Sequence, residues 1–360
     1  MLSFFDCTPE SMQAFCAEHE LPRHFTDQVF DWVYQKGVID PEAMTNIAKE
    51  DRALLKEQVR FYRGSELGNA LATDGTVKVL IGWDQARRRN DEAGLPVLQQ
   101  REGQRSTETV LIPSRDRRTA CVSSQVGCPV GCRFCASGLD GVEGNLDAGQ
   151  IVEQVHRLSW MPGVDRVTNI VFMGMGEPLA NADSVMQAIR TLNAPWGMGI
   201  GARRITVSTV GLPAAIRRLG TFELPVTLAL SLHAPTDELR RSLIPWAEYS
   251  TVAELLDACD EYFHASGREI TLEYLLLRNV NDGPEHASEL ARLCSKMRAN
   301  VNLIRYNEVP GLPYSRPRDA DVLAFQKVLR GHGVNVHIRA SRGRDIAAAC
   351  GQLRRELASH

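Results

Sequence analysis

No apolar run approaches the roughly 18 residues that a membrane-crossing helix needs, so the chain is not read as a membrane protein. The opening residues, Met1-Leu2-Ser3-Phe4-Phe5-Asp6, lack a basic start and a sustained apolar core, and no secretory signal is read there. A cytoplasmic protein with reduced cysteines and no membrane partner is expected. Charge is nearly balanced: 41 Lys and Arg against 44 Asp and Glu leave −3, so no global cationic surplus draws in nucleic acid. Arginine clusters at 87–89, 115–118, 203–204, 217–218, 240–241 and 339–344 nevertheless permit a local RNA-binding face. Low-complexity tracts and close internal repeats are also missing. With 44% apolar and 24% charged residues, the composition is that of an ordinary globular enzyme. Its 360 residues suffice for one large domain with an appendage, or for two domains.

Cysteine is present and unevenly placed. Three of the nine fall in Cys128-Pro129-Val130-Gly131-Cys132-Arg133-Phe134-Cys135. A Cys3His zinc site with His156 is one reading, but zinc sites usually use two close pairs and no second pair exists. A disulfide knot does not suit a chain of this length without a signal. Three thiolates in eight residues can instead hold three corners of a cubane iron–sulfur cluster and leave the fourth iron open. The spacing resembles the signature of radical S-adenosylmethionine (SAM) enzymes. There the open iron binds SAM, which is cleaved to a 5′-deoxyadenosyl radical.

Residues 1–65 read as a small helical N-terminal domain, punctuated by Pro22 and Gly37. Residues 66–115 read as a β extension: Thr73-Asp74-Gly75-Thr76 is a hairpin turn, with strands at 80–83 and 109–112 and a polar loop at 84–105. Residues 116–360 then alternate strands (120–123, 169–173, 205–209, 226–232, 270–276, 301–306) with helices (150–158, 182–192, 214–219, 252–264, 285–296), and a late strand follows at 334–340. Such repeats predict an α/β fold with a parallel sheet: a partial (β/α)6 barrel with its chemistry at the C-terminal strand ends.

Polar residues recur at those ends. Met173-Gly174-Met175-Gly176-Glu177-Pro178 follows the second strand, where the two glycines let a ligand approach and the carboxylate of Glu177 suits the SAM amino group. Ser208, Ser231-Leu232-His233 and Asn307 end the third, fourth and sixth strands. Any one of them can merely satisfy a loop; together they suit the ribose, adenine and carboxylate of SAM. Cys7, Cys16, Cys259 and Cys294 read as small buried apolar residues.

Several separate motifs resemble the RlmN/Cfr family of radical SAM enzymes, which methylate adenine ring carbons in RNA. They are Cys121-Val122-Ser123-Ser124-Gln125-Val126-Gly127-Cys128, Gly174-Met175-Gly176-Glu177-Pro178-Leu179, Ser231-Leu232-His233-Ala234-Pro235 and Ala349-Cys350-Gly351-Gln352-Leu353. The resemblance implies a [4Fe-4S] cluster on Cys128, Cys132 and Cys135, with two SAM molecules used per turnover. It implies that Cys350 becomes S-methylcysteine and carries the methyl group to adenine. It assigns proton removal to Glu108, and release of the Cys350–RNA link to Cys121 through a thiol–disulfide step, with a disulfide bond. SAM would meet Gly176, Glu177, Ser208, Ser231, Leu232, His233 and Asn307. The expected partners are 23S rRNA near the peptidyl-transferase centre, tRNA at the adenosine beside the anticodon, and a reductant such as flavodoxin or ferredoxin. Methylation at C2 is favoured by the 121–126 run, whereas Ile304-Arg305-Tyr306-Asn307 looks more like the C8 enzymes. The rival readings are a radical SAM enzyme acting on a peptide or small molecule, and a non-catalytic zinc RNA-binding protein.

Overall fold

The structure, a computed structural model, describes residues 1–83 and 105–353. Ten strands form one sheet: β1 (Gly64–Leu71), β2 (Val77–Trp83), β3 (Ser106–Pro113), β4 (Arg118–Cys121), β5 (Asn169–Phe172), β6 (Ile205–Thr209), β7 (Thr227–Ser231), β8 (Ile270–Leu276), β9 (Ala299–Arg305) and β10 (Asn335–Arg339). Their order across the sheet is their order along the chain. The run β4–β10 is parallel throughout, and β1–β4 pair antiparallel.

The expected alternation is present. The six core strands read from sequence match β4–β9 to within two residues. Parallel strands covered on both faces need apolar side chains in succession; Leu228, Ala229 and Leu230 of β7 are all fully buried. The six-unit core is extended on both sides. β10 adds a seventh parallel strand, and the β extension continues the same sheet. The loop expected at 84–105 lies, except for Arg105, outside the described residues, as do residues 354–360.

Helices cover the outer face. In α4 (Ala148–Ser159), Ile151, Val152, Val155 and Leu158 recur at helical spacing and are buried, and Asp147 with Gln150 forms a capping box at its start. The same device, Thr251 with Glu254, starts the helix Val252–Ser266.

The N-terminal helices, among them α1 (Pro9–Glu18), α2 (His24–Phe30) and α3 (Lys49–Gln58), share one apolar core with the sheet domain. Phe5, Tyr34 and Tyr62 pack around His156 of α4, and Phe4 packs on Tyr34 behind them. The Asp6 carboxylate accepts from the Gly149 N–H at 2.7 Å, and Arg63 bridges Asp6 and Asp147. His156 engages both ring nitrogens, Nδ1 with the Tyr62 hydroxyl at 2.8 Å and Nε2 with the Val33 carbonyl at 3.0 Å. It is a core histidine, held neutral by burial, which pulls its pKa down to about 4. The zinc-ligand reading of His156 fails on this geometry.

Candidate active site

One cavity is lined by every strand from β3 to β10 or by the residues just after it, so the sheet curls around a common mouth. Cys128, Cys132 and Cys135 lie on its wall, in the loop after β4. A short ribbon, Gln125–Gly127 paired with Val142–Asn145, brackets this loop. Its strands are too short for sequence patterning to show. The Cys128 N–H donates to the Gly141 carbonyl at 2.9 Å and fixes the loop's base.

Burial raises all three thiols, Cys128 to about 12, and charge repulsion from neighbouring cysteines adds to the rise of Cys128 and Cys132. Backbone N–H groups of Val130 and Gly176 favour the Cys128 thiolate, and those of Ser137 and Gly138 the Cys135 thiolate. A bound metal would displace the thiol protons. Among the described residues, no three His, Cys, Asp or Glu side chains converge on a single metal ion. That counts against a Cys3His zinc site. A cubane gives each thiolate its own iron and needs no such convergence, so three thiols on one cavity wall, with N–H donors aimed at two of them, fit the cluster. Arg240 is fully buried nearby, held by the Leu232 and Val210 carbonyls, and its charge favours the Cys132 thiolate.

The glycines after β5 serve packing more directly than expected. A Cβ on Gly176, at φ +103°, would lie 2.7 Å from Ser124 Oγ and 2.8 Å from the Gln125 nitrogen. Glu177 lines the cavity, yet its two oxygens already accept from Leu179 N (3.0 Å) and Val210 N (2.9 Å). Its own N–H donates to Gln125 Oε1 at 2.8 Å. Burial raises its pKa.

Ser208 and Ser231 face the cavity from adjacent strands, their hydroxyls 3.2 Å apart. His233 also lines it, in the left-handed region at φ +59°. Its Nδ1 accepts from Leu275 N at 3.0 Å, which places its ring proton on Nε2. Leu232 is different: its side chain belongs to the apolar core and does not line the cavity. Asn307 is not on the wall either. Its Nδ2 donates to the Cys350 carbonyl at 3.3 Å, and its Oδ1 accepts from Arg316.

Cys121, at the end of β4, and Cys350 line the same cavity. Cys350 sits in a strap, residues 340–353, that follows β10. The strap is fastened to the cluster loop, where Ala136 N donates to the Gly351 carbonyl and the Ser137 hydroxyl to the Leu353 carbonyl, both at 2.8 Å. Every described cysteine is free. The expected disulfide bond is therefore absent, and Cys121 and Cys350 stand as two thiols. Cys350 keeps solvent access, but protein packed around its sulfur raises it to about 11, and Cys121 rises to about 12. Arg339 opposes both shifts.

From the sequence, Glu273 and Lys78 had no role and Arg339 only a place in an arginine cluster. Glu273 of β8 is buried and accepts from Asn302 Nδ2 at 2.9 Å and from Arg339 Nη1 at 3.4 Å; both Glu273 and Arg339 line the cavity. Lys78 of β2 meets Glu108 of β3 at 2.7 Å, with both side chains shut off from solvent. Glu108 lies behind the wall rather than on it. A carboxylate in the apolar run Leu272-Glu273-Tyr274 was the available hint for Glu273. Lys78, in Val77-Lys78-Val79, reads as the solvent side of an alternating strand.

The sheet, its C-terminal mouth and the three-cysteine loop define a radical SAM enzyme. The Radical SAM superfamily profile matches residues 122–293, and the Ribosomal RNA large subunit methyltransferase N-terminal domain profile matches residues 2–60. A radical SAM methyltransferase from Sphaerobacter thermophilus superposes with a TM-score of 0.91 at 40% identity, covering 99% of this chain and 100% of that one. The probable dual-specificity RNA methyltransferase RlmN of Rhodopirellula baltica is 44% identical, over 91% of this chain and 84% of its own. Its counterpart in Gloeobacter violaceus is 43% identical, over 97% and 94%. The chain belongs to the RlmN family of radical SAM RNA methyltransferases. Among the described residues no helix is long and apolar enough to cross a membrane.

Proposed function

We propose that the protein methylates C2 of adenosine in 23S rRNA, near the peptidyl-transferase centre, and in tRNA, beside the anticodon. The observation that carries this reading is the meeting of Cys350, Cys121 and the three loop cysteines on one cavity. The relatives' name, dual-specificity RNA methyltransferase, supports two RNA substrates.

Cys128, Cys132 and Cys135 would hold a [4Fe-4S] cluster, which would supply the electron for reductive cleavage of SAM. Glu177, Ser208, Ser231 and His233 line the space for SAM beside Gly176, and Leu232 between them packs into the core. Asn307 orients Cys350 by holding its carbonyl.

Cys350 takes a methyl group from one SAM and becomes S-methylcysteine. It then yields a methyl hydrogen atom to the radical from a second SAM and adds through that carbon to the adenine ring. In this reading Glu108, paired with Lys78 behind the cavity wall, accepts the ring proton. The adduct's unpaired electron returns to the one-electron carrier. Cys121 attacks the Cys350 sulfur, an S–S bond forming as the S–CH2 bond breaks, and the freed carbon takes a proton to give the methylated base. A thiol reductant then regenerates both cysteines. The adenine must leave its stack to reach the cavity, and the N-terminal helices and local arginines offer the RNA a docking face. A low-potential one-electron protein donor in the cytoplasm feeds the cluster.

Mass spectrometry of nucleosides from rRNA and tRNA tests this, in a host lacking its own enzyme of the family, with and without the protein. 2-Methyladenosine in both RNA fractions is the expected result. 8-Methyladenosine would transfer the protein to C8 chemistry, the reading that Ile304-Arg305-Tyr306-Asn307 favours. Neither product, with the cluster assembled, would sink RNA methylation.

A further inference from the structure

The strap that carries Cys350 is fastened at a second place, far from the cluster loop. At the tip of the β1–β2 hairpin, Asp74 Oδ2 accepts from the Gly343 N–H at 3.1 Å, and Arg342 lies 3.8 Å from the same oxygen. In return, Asp345 Oδ2 accepts from the Thr73 N–H at 2.8 Å. Each segment thus lends a carboxylate to the other's backbone, across 269 and 272 residues of chain. Such charge-assisted bonds are shorter and stronger than neutral ones.

The fit around this clasp is close. A Cβ on Gly343, at φ +64°, would lie 2.9 Å from both Thr76 Cγ2 and Ala348 Cβ. Ile346 and Ala348 pack with Ala70 and Ala72 of the hairpin arm and with Cys121. Cys350 lies between two anchors: the hairpin tip before it and the loop residues Ala136 and Ser137 after it.

We propose that Asp74 and Asp345 are positioning residues that hold Cys350 at the mouth of the site, which makes the β1–β2 hairpin part of the methyl-transfer apparatus. This rests on the reading of Cys350 as the methyl carrier. A cysteine that receives a methyl group and later presents it to a radical must hold one geometry at each step, and small misplacements in such sites are expensive. Two anchors on separate elements give that geometry. Release of one frees Cys350 while the other keeps the strap attached.

The test compares Asp74→Asn, Asp345→Asn and the double Asp74→Ala/Asp345→Ala variant with the parent holoenzyme. Two readouts are used. Hydrogen exchange reports opening of residues 343–351. The ratio of methylated RNA to 5′-deoxyadenosine reports how well radical formation is coupled to transfer. Each single variant is expected to speed strap exchange about tenfold, the worth of one charge-assisted hydrogen bond, and to lower the ratio, with exchange in β5–β8 and iron content unchanged. The double variant should add little to either single one, because both open the same clasp. Unchanged strap exchange and coupling in the double variant would overturn the proposal. If the double variant does not fold, the two single variants decide by the same criterion. Cys350→Ala is run alongside: if it still methylates RNA, the carrier reading fails, while strap exchange still decides whether the clasp exists.

Discussion

Lys78 Nζ lies 2.7 Å from Glu108 Oε1, and the two side chains are 1% and 0% exposed. The pair joins β2 to β3 on the side of the sheet that carries Cys121, since Val110 and Cys121 share that surface. Breaking it from one side takes the counter-charge away from a buried ion. Lys78→Met should therefore destabilise the fold by about 3–5 kcal/mol in chemical denaturation. Lys78→Met/Glu108→Leu should recover most of the loss. A single variant as stable as the parent would show that the pair contributes nothing net.

The three loop cysteines carry a compositional prediction. Anaerobically reconstituted protein should hold about four iron and four sulfide per chain. Cys132→Ala should lose both, while Cys350→Ala should keep both. Zinc without sulfide in the parent would revive the zinc reading.

Self-methylation of Cys350 should depend on Arg339. Burial raises the Cys350 thiol to about 11, and the guanidinium works against that rise. The thiolate is the nucleophile and a minor species near neutrality, so methylation by SAM alone should speed up with pH through 7 to 9. Arg339→Gln removes the opposing charge and moves the thiol further up. Mass spectrometry of the intact protein should then show slower methylation at each pH. A rate equal to the parent's would mean that Arg339 does not act on Cys350.

Acid should loosen the junction between the N-terminal helices and α4. His156 titrates near 4 when folded and near 6.5 in the unfolded chain. The unfolded state binds more protons between those values, so stability is fully present above about 6.5 and falls as pH drops toward 4, by about 1.4 kcal/mol per unit at most. His156→Gln should flatten this part of the stability profile. A slope identical to the parent's would remove His156 as the cause.

The sheet was legible because burial on both faces writes β4–β9 as short apolar runs, and caps such as Asp147 mark where the intervening helices begin. The three loop cysteines were legible because their spacing is local in sequence. Contacts that depend on distant strands were not. Lys78 looks solvent-facing until Glu108 is set beside it, and Arg339 looks like one more surface arginine until β10 pairs with β9 and brings it to Glu273. His156 invited a metal because its two hydrogen-bond partners, Tyr62 and Val33, are about a hundred residues away, at separations of 94 and 123. Asn307 was noticed for its strand end, but its partner, the Cys350 carbonyl, lies on the strap.

The ten strands stand side by side in the order in which they occur in the chain, and Cys350 comes after the last of them. A chain made from its N-terminus therefore lays down the three-cysteine loop and the whole strand order before the segment that carries Cys350. If the roles proposed above hold, a product cut short after β10 carries the three loop cysteines without Cys350, so the part of the chain assigned to radical generation precedes the part assigned to methyl transfer in order of synthesis.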